Sequence, residues 1–509
     1  MRTHLISVYP AVLFLVTVSW AFSQGNPSRY LPPPYTVLID SIFSPWNKST
    51  SPGCAVAVYQ KGAIRFAKGY GMSNLEHDIP IVPSSIFHIA SMSKQFTAAA
   101  VILLAQQGKL SLDDDIRKSI PEVPDFGDRI TVRHLVHHTS GLRDCWDLLE
   151  LAGWRWGDIM AESDVMDLVS RQKELNFRPG QAIVYCNTGY TLLAVLVERV
   201  TGTSLRKYAD STIFKPLGMK STHFHSRYTE PCRNRTSAYE LDASGNYKVS
   251  IPAYDIYGTT SLFTTVEDLA KWDGNFYEPK VGGKAFVDTL LKHGSLNDWT
   301  SIPYASGLVL GKYNSHAFIE HGGADMGYRS HIIRFPDSGL TIVVLGNLST
   351  MKPAALVRKV ADLFLPMELP AKTPSPAALP PAELQIYEGL YNDPRNNVVT
   401  KLVFRDGRLY WGVWELIPAG NREFHTPQAV ITFGNEQSSN RPTGLITLTR
   451  GEQTRLQPIS TVAVSPGDLA EFTGRFYSSE LDVTYSISST DSVLVLTRKK
   501  YPDTRLIPV

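Results

Sequence analysis

The sequence has few cysteines, almost no net charge and, after its N-terminus, no long apolar run. In 509 residues the cysteines are Cys54, Cys145, Cys186 and Cys232, with no CxxC pair and no metal-type cluster with histidine. So few thiols in so long a chain exclude a cystine-stapled fold and a structural zinc module. An even count permits two bridges in three pairings, and buried, unpaired thiols fit equally well. The 50 Lys and Arg residues nearly balance the 48 Asp and Glu, leaving +2. No run of basic residues is dense enough for a phosphate-binding footprint, so nucleic acid is not an expected partner. His137 and His138 are adjacent and His223 and His225 alternate, but no nearby residue completes a ligand set, so no metal is expected.

The N-terminus sets the expected compartment. Met1-Arg2-Thr3-His4 supplies a positive start, Leu5 to Phe22 is almost wholly apolar, and Ala21 and Ser23 stand three and one before a cut ahead of Gln24. This charged, apolar, small-residue order is that of a secretory signal peptide over residues 1–23, which predicts a periplasmic or secreted protein. The rival reading is a membrane anchor by an uncleaved signal, because the run approaches spanning length. Pro10 and the small-residue site favour cleavage. No later segment is apolar enough to span.

What remains is long enough for more than one domain and globular in composition, with 43% hydrophobic and 19% charged residues. Cys54–Gln60 and Ile64–Gly69 read as strands of a hairpin turning at Lys61-Gly62. Residues 92–107 read as a buried helix opening at Ser91, with Gly108 past its end. Helices are also expected at Leu192–Val200, stopped by Gly202, and at Val266–Phe276, capped by Thr264 or Thr265. Between His316 and Leu348 the pattern turns to strands. Strands at both ends with helices between them predict one sheet flanked by helices and closed by chain-distant strands. This segment, residues 30–365, ends at a Pro-rich connector over 366–382. Beyond it, residues 383–509 hold a weak repeat. Leu384, Tyr387, Gly389 and Tyr391 recur as Leu469, Phe472, Gly474 and Phe476, and Leu416-Ile417-Pro418 recurs as Leu506-Ile507-Pro508. Both copies alternate apolar and polar residues, which predicts antiparallel strands. The second copy is expected to be cut short, or completed by pairing with the first.

Ser91-Met92-Ser93-Lys94 is an SxxK, a pattern also met at Ser170, Ser204 and Ser349, so context must single it out. Ser91 opens the apolar helix, where free backbone N–H groups and the positive end of the dipole can face an oxyanion. One turn puts Lys94 on the same face. A buried lysine can lose its proton near neutral pH and accept the one from Ser91 Oγ. Tyr185-Cys186-Asn187 is the only YxN and follows the turn signal Pro179-Gly180. His321-Gly322-Gly323 is the only HxG and ends an apparent strand. A tyrosine beside the pair can shuttle protons, an asparagine amide can hold a substrate carbonyl, and a Gly-rich edge lets a substrate backbone approach.

These elements, in this order, resemble the active-site motifs of the penicillin-recognising, β-lactamase-like hydrolases: class C β-lactamases, D-alanyl-D-alanine carboxypeptidases, D-aminopeptidases and related esterases. Residues 87–98 (FHIASMSKQFTA) carry the first motif, residues 135–142 (LVHHTSGL) a signature loop, Tyr185-Cys186-Asn187 the second motif and His321-Gly322-Gly323 the third. The resemblance covers roughly residues 35–365. It implies an α/β (α+β) fold: a mixed antiparallel sheet flanked by helices, with a helical lobe between the first and third motifs. It also implies roles. Ser91 would be acylated, Lys94 and Tyr185 would share general-base and general-acid duty, and Asn187 and His321 would bind the substrate. The oxyanion hole would be the backbone N–H groups of Ser91 and Ala324, beside Gly323. No cofactor is implied. The C-terminal part resembles the all-β, lipocalin-like or barrel domains appended to many such exported hydrolases, and its residues carry no chemical motif.

Two departures matter. The commoner third motif is Lys-Thr-Gly, whose cation and hydroxyl help hold a substrate carboxylate; His321 is only partly charged near neutrality unless its site shifts it, and Gly322 has no hydroxyl. Carboxylate-bearing substrates, β-lactams among them, should lose a contact. Cys186 stands where a serine is common. The expected function is therefore an exported acyl-enzyme hydrolase of small amides, peptides or esters, with cell-wall peptides among the candidate partners. The alternative is a catalytically idle relative that binds peptidoglycan or a partner through the same cleft.

Overall fold

A computed structural model of the chain describes residues 31–365 and 379–506, apart from loop positions 395–397, 421, 427–428, 439–440, 450, 461–464, 491–492 and 499. Residues 1–23, expected to be a signal peptide, and Ile507-Pro508 lie outside the described residues, as does most of the Pro-rich connector. The end of that connector is described, and there Pro381 opens a short helix, Pro381–Gln385. Proline is tolerated in a first turn because the missing N–H has no intrahelical partner there.

The fold is organised by one sheet. Its strands are β1 (Cys54–Gln60), β2 (Ala63–Tyr70), β3 (Val309–Tyr313), β4 (His316–Asp325), β5 (Tyr328–Phe335) and β6 (Leu340–Gly346), in the order β3-β4-β5-β6-β1-β2. Every pairing is antiparallel, in keeping with the antiparallel sheet flanked by helices that was expected. The closure is chain-distant as predicted, with Cys54 opposite Gly346 and Gln60 opposite Leu340.

The six helices that frame the sheet and the site are α1 (Pro33–Phe43), α2 (Lys94–Gln106), α3 (Cys145–Leu151), α4 (Asn187–Thr201), α5 (Val266–Gly274) and α6 (Pro353–Ala361). Strand geometry alternates successive side chains between two faces. Ala55, Ala57 and Tyr59 of β1 join the core containing α2, α4 and α5, while Cys54, Val56 and Val58 join the core under α1 and α6. A strand sandwiched between layers must be apolar on both faces, which explains the unbroken CAVAV run. Helix α4 begins at Asn187, five residues before the expected start, and Gly202 ends it in the left-handed region (φ +69°). Thr265 caps α5, its hydroxyl accepting from the Asp268 N–H at 3.0 Å.

The C-terminal part has its own apolar core of Leu384, Tyr387, Tyr391, Leu402, Phe424, Ile431 and neighbours. Nine strands between Gly389 and Ile459 form one sheet. Its two edge strands, Trp414–Glu415 and Ile417–Gly420, are consecutive in the chain, so it is a nearly closed barrel. The second copy of the repeat makes a separate four-stranded sheet over Gly474–Leu506, with no strand pairing to the first among the described residues. The same motif positions therefore differ in burial. Tyr387 and Tyr391 are enclosed by the barrel, whereas Phe472, in the turn before the four-stranded sheet, and Phe476, on its first strand, are exposed.

This C-terminal part sits against the helical lobe. Arg143 pairs with Glu480 at 2.6 Å, Lys500 with Asp158 at 2.7 Å, and the hydroxyls of Tyr485 and Tyr501 donate to the carbonyls of Leu151 and Trp154.

Candidate active site

Ser91 lies in a tight 3₁₀ turn, Ala90–Ser93, that runs directly into α2. The turn is held at several points. Ala90 is left-handed (φ +49°), and its N–H donates to His88 Nδ1 at 3.2 Å. Ser93 Oγ donates to the Ala90 carbonyl at 2.5 Å and accepts from the Leu262 N–H at 3.0 Å. A non-glycine residue in that region costs of the order of 1 kcal/mol and persists only where its surroundings fix it.

Lys94 is fully buried, and its Nζ lies 3.1 Å from Ser91 Oγ. It also donates to Asn187 Oδ1 at 2.8 Å and to the Thr259 carbonyl at 2.8 Å. The Tyr185 ring is centred 4.7 Å from Nζ. Ser91, Tyr185 and Asn187, three of the residues expected to act with Lys94, therefore stand around its Nζ.

Asn187 is engaged at both ends of its amide. Its Oδ1 accepts from Lys94 and from Thr259 Oγ1 (2.7 Å), and its Nδ2 donates to Asp144 Oδ2 at 2.9 Å. Sequence reading gave Asn187 only the task of holding substrate, and a primary amide has a second N–H for that task. Asp144 caps α3 by accepting from the Trp146 N–H at 2.9 Å. Burial pushes its carboxyl above the usual range, against the opposing pull of the Asn187 and Trp146 donors and of Lys94.

The backbone of the second motif is held by side chains at each residue. The Tyr185 N–H donates to Glu452 Oε1 at 2.5 Å, the Cys186 N–H to His138 Nδ1 at 3.0 Å, and the Asn187 N–H to Asp144 Oδ2 at 2.5 Å. Cys186 itself is a buried filler. Its Sγ donates to the Leu142 carbonyl at 3.3 Å, and burial pushes its thiol up to about 12, so it is not a thiolate. All four cysteines are free thiols.

The third motif is the inner end of β4. His321 is buried, with Nδ1 2.6 Å from the Gly322 carbonyl and Nε2 3.1 Å from the Tyr304 hydroxyl. A carbonyl only accepts, so Nδ1 carries a proton. The Tyr185 and His321 rings are centred 6.3 Å apart. Gly323 is required by contact rather than by φ: a Cβ there would lie 2.3 Å from the Ile89 carbonyl oxygen and 3.0 Å from Ala90 Cβ. This close approach brings the exposed Ala324 beside the Ser91 turn.

Asp144, His138, Thr259, Tyr304 and Glu452 also touch the motif residues. Asp144 was detectable as a helix cap ahead of Cys145-Trp146-Asp147. Glu452 was not, because the domain that carries it matches no chemical motif.

A turn-borne serine, a buried lysine at its side and a strand edge brought against both by glycine define a serine hydrolase of the β-lactamase kind. The chain belongs to the β-lactamase family, whose sequence model matches residues 39–364. It is 30% identical over 309 residues to penicillin-binding protein 4* of Bacillus subtilis (strain 168), covering 57% of this chain and 67% of that one. It is 28% identical over 340 residues to a D-aminopeptidase of Gluconobacter oxydans (strain 621H), covering 67% of this chain and 64% of that one. The match thus spans less than two thirds of the D-aminopeptidase. Among solved structures, the octameric penicillin-binding protein homologue from Pyrococcus abyssi superposes with a TM-score of 0.59 at 22% identity, over 93% of this chain and 99% of that one. The D-amino acid amidase from Ochrobactrum anthropi SV3 superposes at 0.53 and 21% identity, over 64% and 97%.

Proposed function

We propose that this is an exported acyl-enzyme hydrolase of small amide, peptide or ester substrates, of the D-amino-acid peptidase, amidase or esterase type, with β-lactams poor substrates. The observation that carries it is the 3.1 Å approach of the buried Lys94 Nζ to Ser91 Oγ, with Asn187 and Thr259 fixing that nitrogen. In the reaction Ser91 Oγ attacks the substrate carbonyl carbon and its proton passes to Lys94, with Tyr185 relaying it to the leaving amine or alcohol. The carbonyl oxygen becomes an oxyanion, received by the N–H groups of Ser91 and Ala324. Water then attacks the acyl-enzyme by the same proton path in reverse, releasing the acid and restoring Ser91. The D-aminopeptidase and D-amino acid amidase relatives support the amide substrate class.

The third motif supports the bias against carboxylates. Where a lysine would offer a fixed cation, His321 meets the Gly322 carbonyl and the Tyr304 hydroxyl. Export rests on the charged, apolar, small-residue order of residues 1–23, and mass analysis of the protein from a secreting host tests it, a start at Gln24 being the expected result. The substrate class is tested by turnover of D-amino acid amides, their L-enantiomers, p-nitrophenyl esters and a penicillin. Faster turnover of an amide or ester than of the penicillin is expected; a penicillin preferred over every amide and ester contradicts the assignment.

A further inference from the structure

We infer that the C-terminal β domain completes the catalytic apparatus through Glu452, which acts as a positioning residue for Tyr185. This rests on the acyl-enzyme reading of Ser91. Glu452 stands in the turn between two barrel strands, Arg441–Leu448 and Gln453–Ile459. The turn reaches the hydrolase domain at two places. Glu452 Oε1 accepts the Tyr185 N–H at 2.5 Å. Beside it Gly451, at φ +90°, comes so close that a Cβ would lie 2.6 Å from Pro303 Cδ and 3.8 Å from Ile183 Cγ2. Pro303 precedes Tyr304, whose hydroxyl meets His321, and Ile183 lies two residues before Tyr185. The turn is thus wedged between the segment that carries Tyr304 and the approach to the second motif.

The second motif needs that support. Cys186 is extended (φ −136°, ψ 113°), and α4 begins only at Asn187, so Tyr185 precedes the helix and its hydrogen-bond ladder. Each of the three motif N–H groups is received by a side chain: His138 from the signature loop, Asp144 from the cap of α3, and Glu452. Two acceptors belong to the hydrolase domain and one to the other domain. The Tyr185 ring depends on that backbone for its place 4.7 Å from Lys94 Nζ. Displacing a catalytic group by about 1 Å can cost of the order of 10²-fold in rate without loss of binding. A charged acceptor is also shorter and stronger than a neutral one.

The test uses the full-length protein and the acylation of Ser91 by a fluorophosphonate, followed by intact mass against time, together with kcat and KM on a p-nitrophenyl ester. Glu452→Ala should slow acylation and lower kcat by about 10- to 100-fold, with KM within about threefold. Glu452→Gln, which keeps an acceptor oxygen, should recover most of that loss. Lys500→Ala removes a docking contact remote from the motifs and should leave both rates unchanged. Melting temperatures identify a variant that fails to fold, and Glu452→Gln then carries the comparison through its kcat and KM. Wild-type rates in a folded Glu452→Ala, or Glu452→Gln folded but as slow as Glu452→Ala, overturn the positioning role. Equal loss in Lys500→Ala overturns it too, since docking in general would then be the cause. Absence of labelling in the wild-type protein refutes instead the acyl-enzyme reading on which the inference rests.

Discussion

Lys94 Nζ and Asn187 Oδ1 are 2.8 Å apart, and the same asparagine gives its Nδ2 to Asp144 at 2.9 Å. The lysine is therefore held from behind by a buried carboxylate acting through an amide. That arrangement makes Asp144 matter to the chemistry without touching substrate. Asp144→Asn keeps the shape but places an N–H or a neutral oxygen where a charged acceptor served two donors. We expect kcat to fall by about 10- to 100-fold while KM changes little, with the acceptors of Lys94 disturbed rather than lost. Steady-state kinetics with a melting curve check this; unchanged kcat in the folded variant contradicts it.

Gly323 gives a second prediction. A Cβ at this position would meet the backbone of Ile89 at 2.3 Å and Ala90 at 3.0 Å, so Gly323→Ala must push β4 away from the Ser91 turn. Backbone cannot swing aside as a flexible side chain can. Acylation should fall by at least about 10²-fold, since misplacement on the scale of 1 Å suffices for that loss. Near-normal labelling of Ser91 in Gly323→Ala would show that the strand edge is not part of the oxyanion site.

The pair of Arg334 and Asp273 tests the fold rather than the site. Their side chains are almost wholly buried and meet at 2.6 Å, and Asp273 also receives Thr341 Oγ1 and the Gly62 N–H. Removing one partner of a buried pair typically costs about 3–5 kcal/mol because the other charge is left without compensation. Asp273→Ala should lose that much in denaturant titration, whereas Asp158→Ala, at a partly exposed ion pair, should lose no more than about 1 kcal/mol. Comparable losses in the two variants contradict the assignment.

Acid sensitivity follows from the signature loop. Burial, reinforced by Arg133, lowers the His137 pKa from an ordinary 6.5 to about 4. Above pH 6.5 the ring is neutral in both folded and unfolded chains and contributes no slope. Between 6.5 and 4 the unfolded chain takes up the proton and the folded one does not, so stability falls as pH falls. The whole step is worth on the order of 3 kcal/mol. In His137→Gln the decline in melting temperature from pH 7 to 4.5 should be shallower; an identical slope rules His137 out as its source.

Much of this was legible in the sequence because it is local or strongly patterned. Cys54–Gln60 announced a strand and Lys61-Gly62 its hairpin, while the burial of that strand on both faces emerged only from the layers packed on it. Ser91 and Lys94 stand one helical turn apart, and they, Tyr185, Asn187 and His321 were picked out because their motifs, in order, resemble those of the β-lactamase-like hydrolases. What escaped is set by contacts between distant parts of the chain. Thr259 serves Lys94 with a backbone carbonyl, which any residue possesses, so no side-chain pattern marks it. Tyr304 and Glu452 reach the motifs only because separate segments, one of them in another domain, fold against them. The burial of Tyr391 against the exposure of Phe476 was equally hidden, since the repeat is similar in sequence and only the number of enclosing strands differs.

Acylation of Ser91 is read by intact-mass spectrometry of the full-length protein after exposure to a fluorophosphonate. One adduct per chain is expected, mapped to the peptide carrying Ser91 and absent from Ser91→Ala. A folded protein that takes no adduct, or one labelled equally in Ser91→Ala, contradicts it.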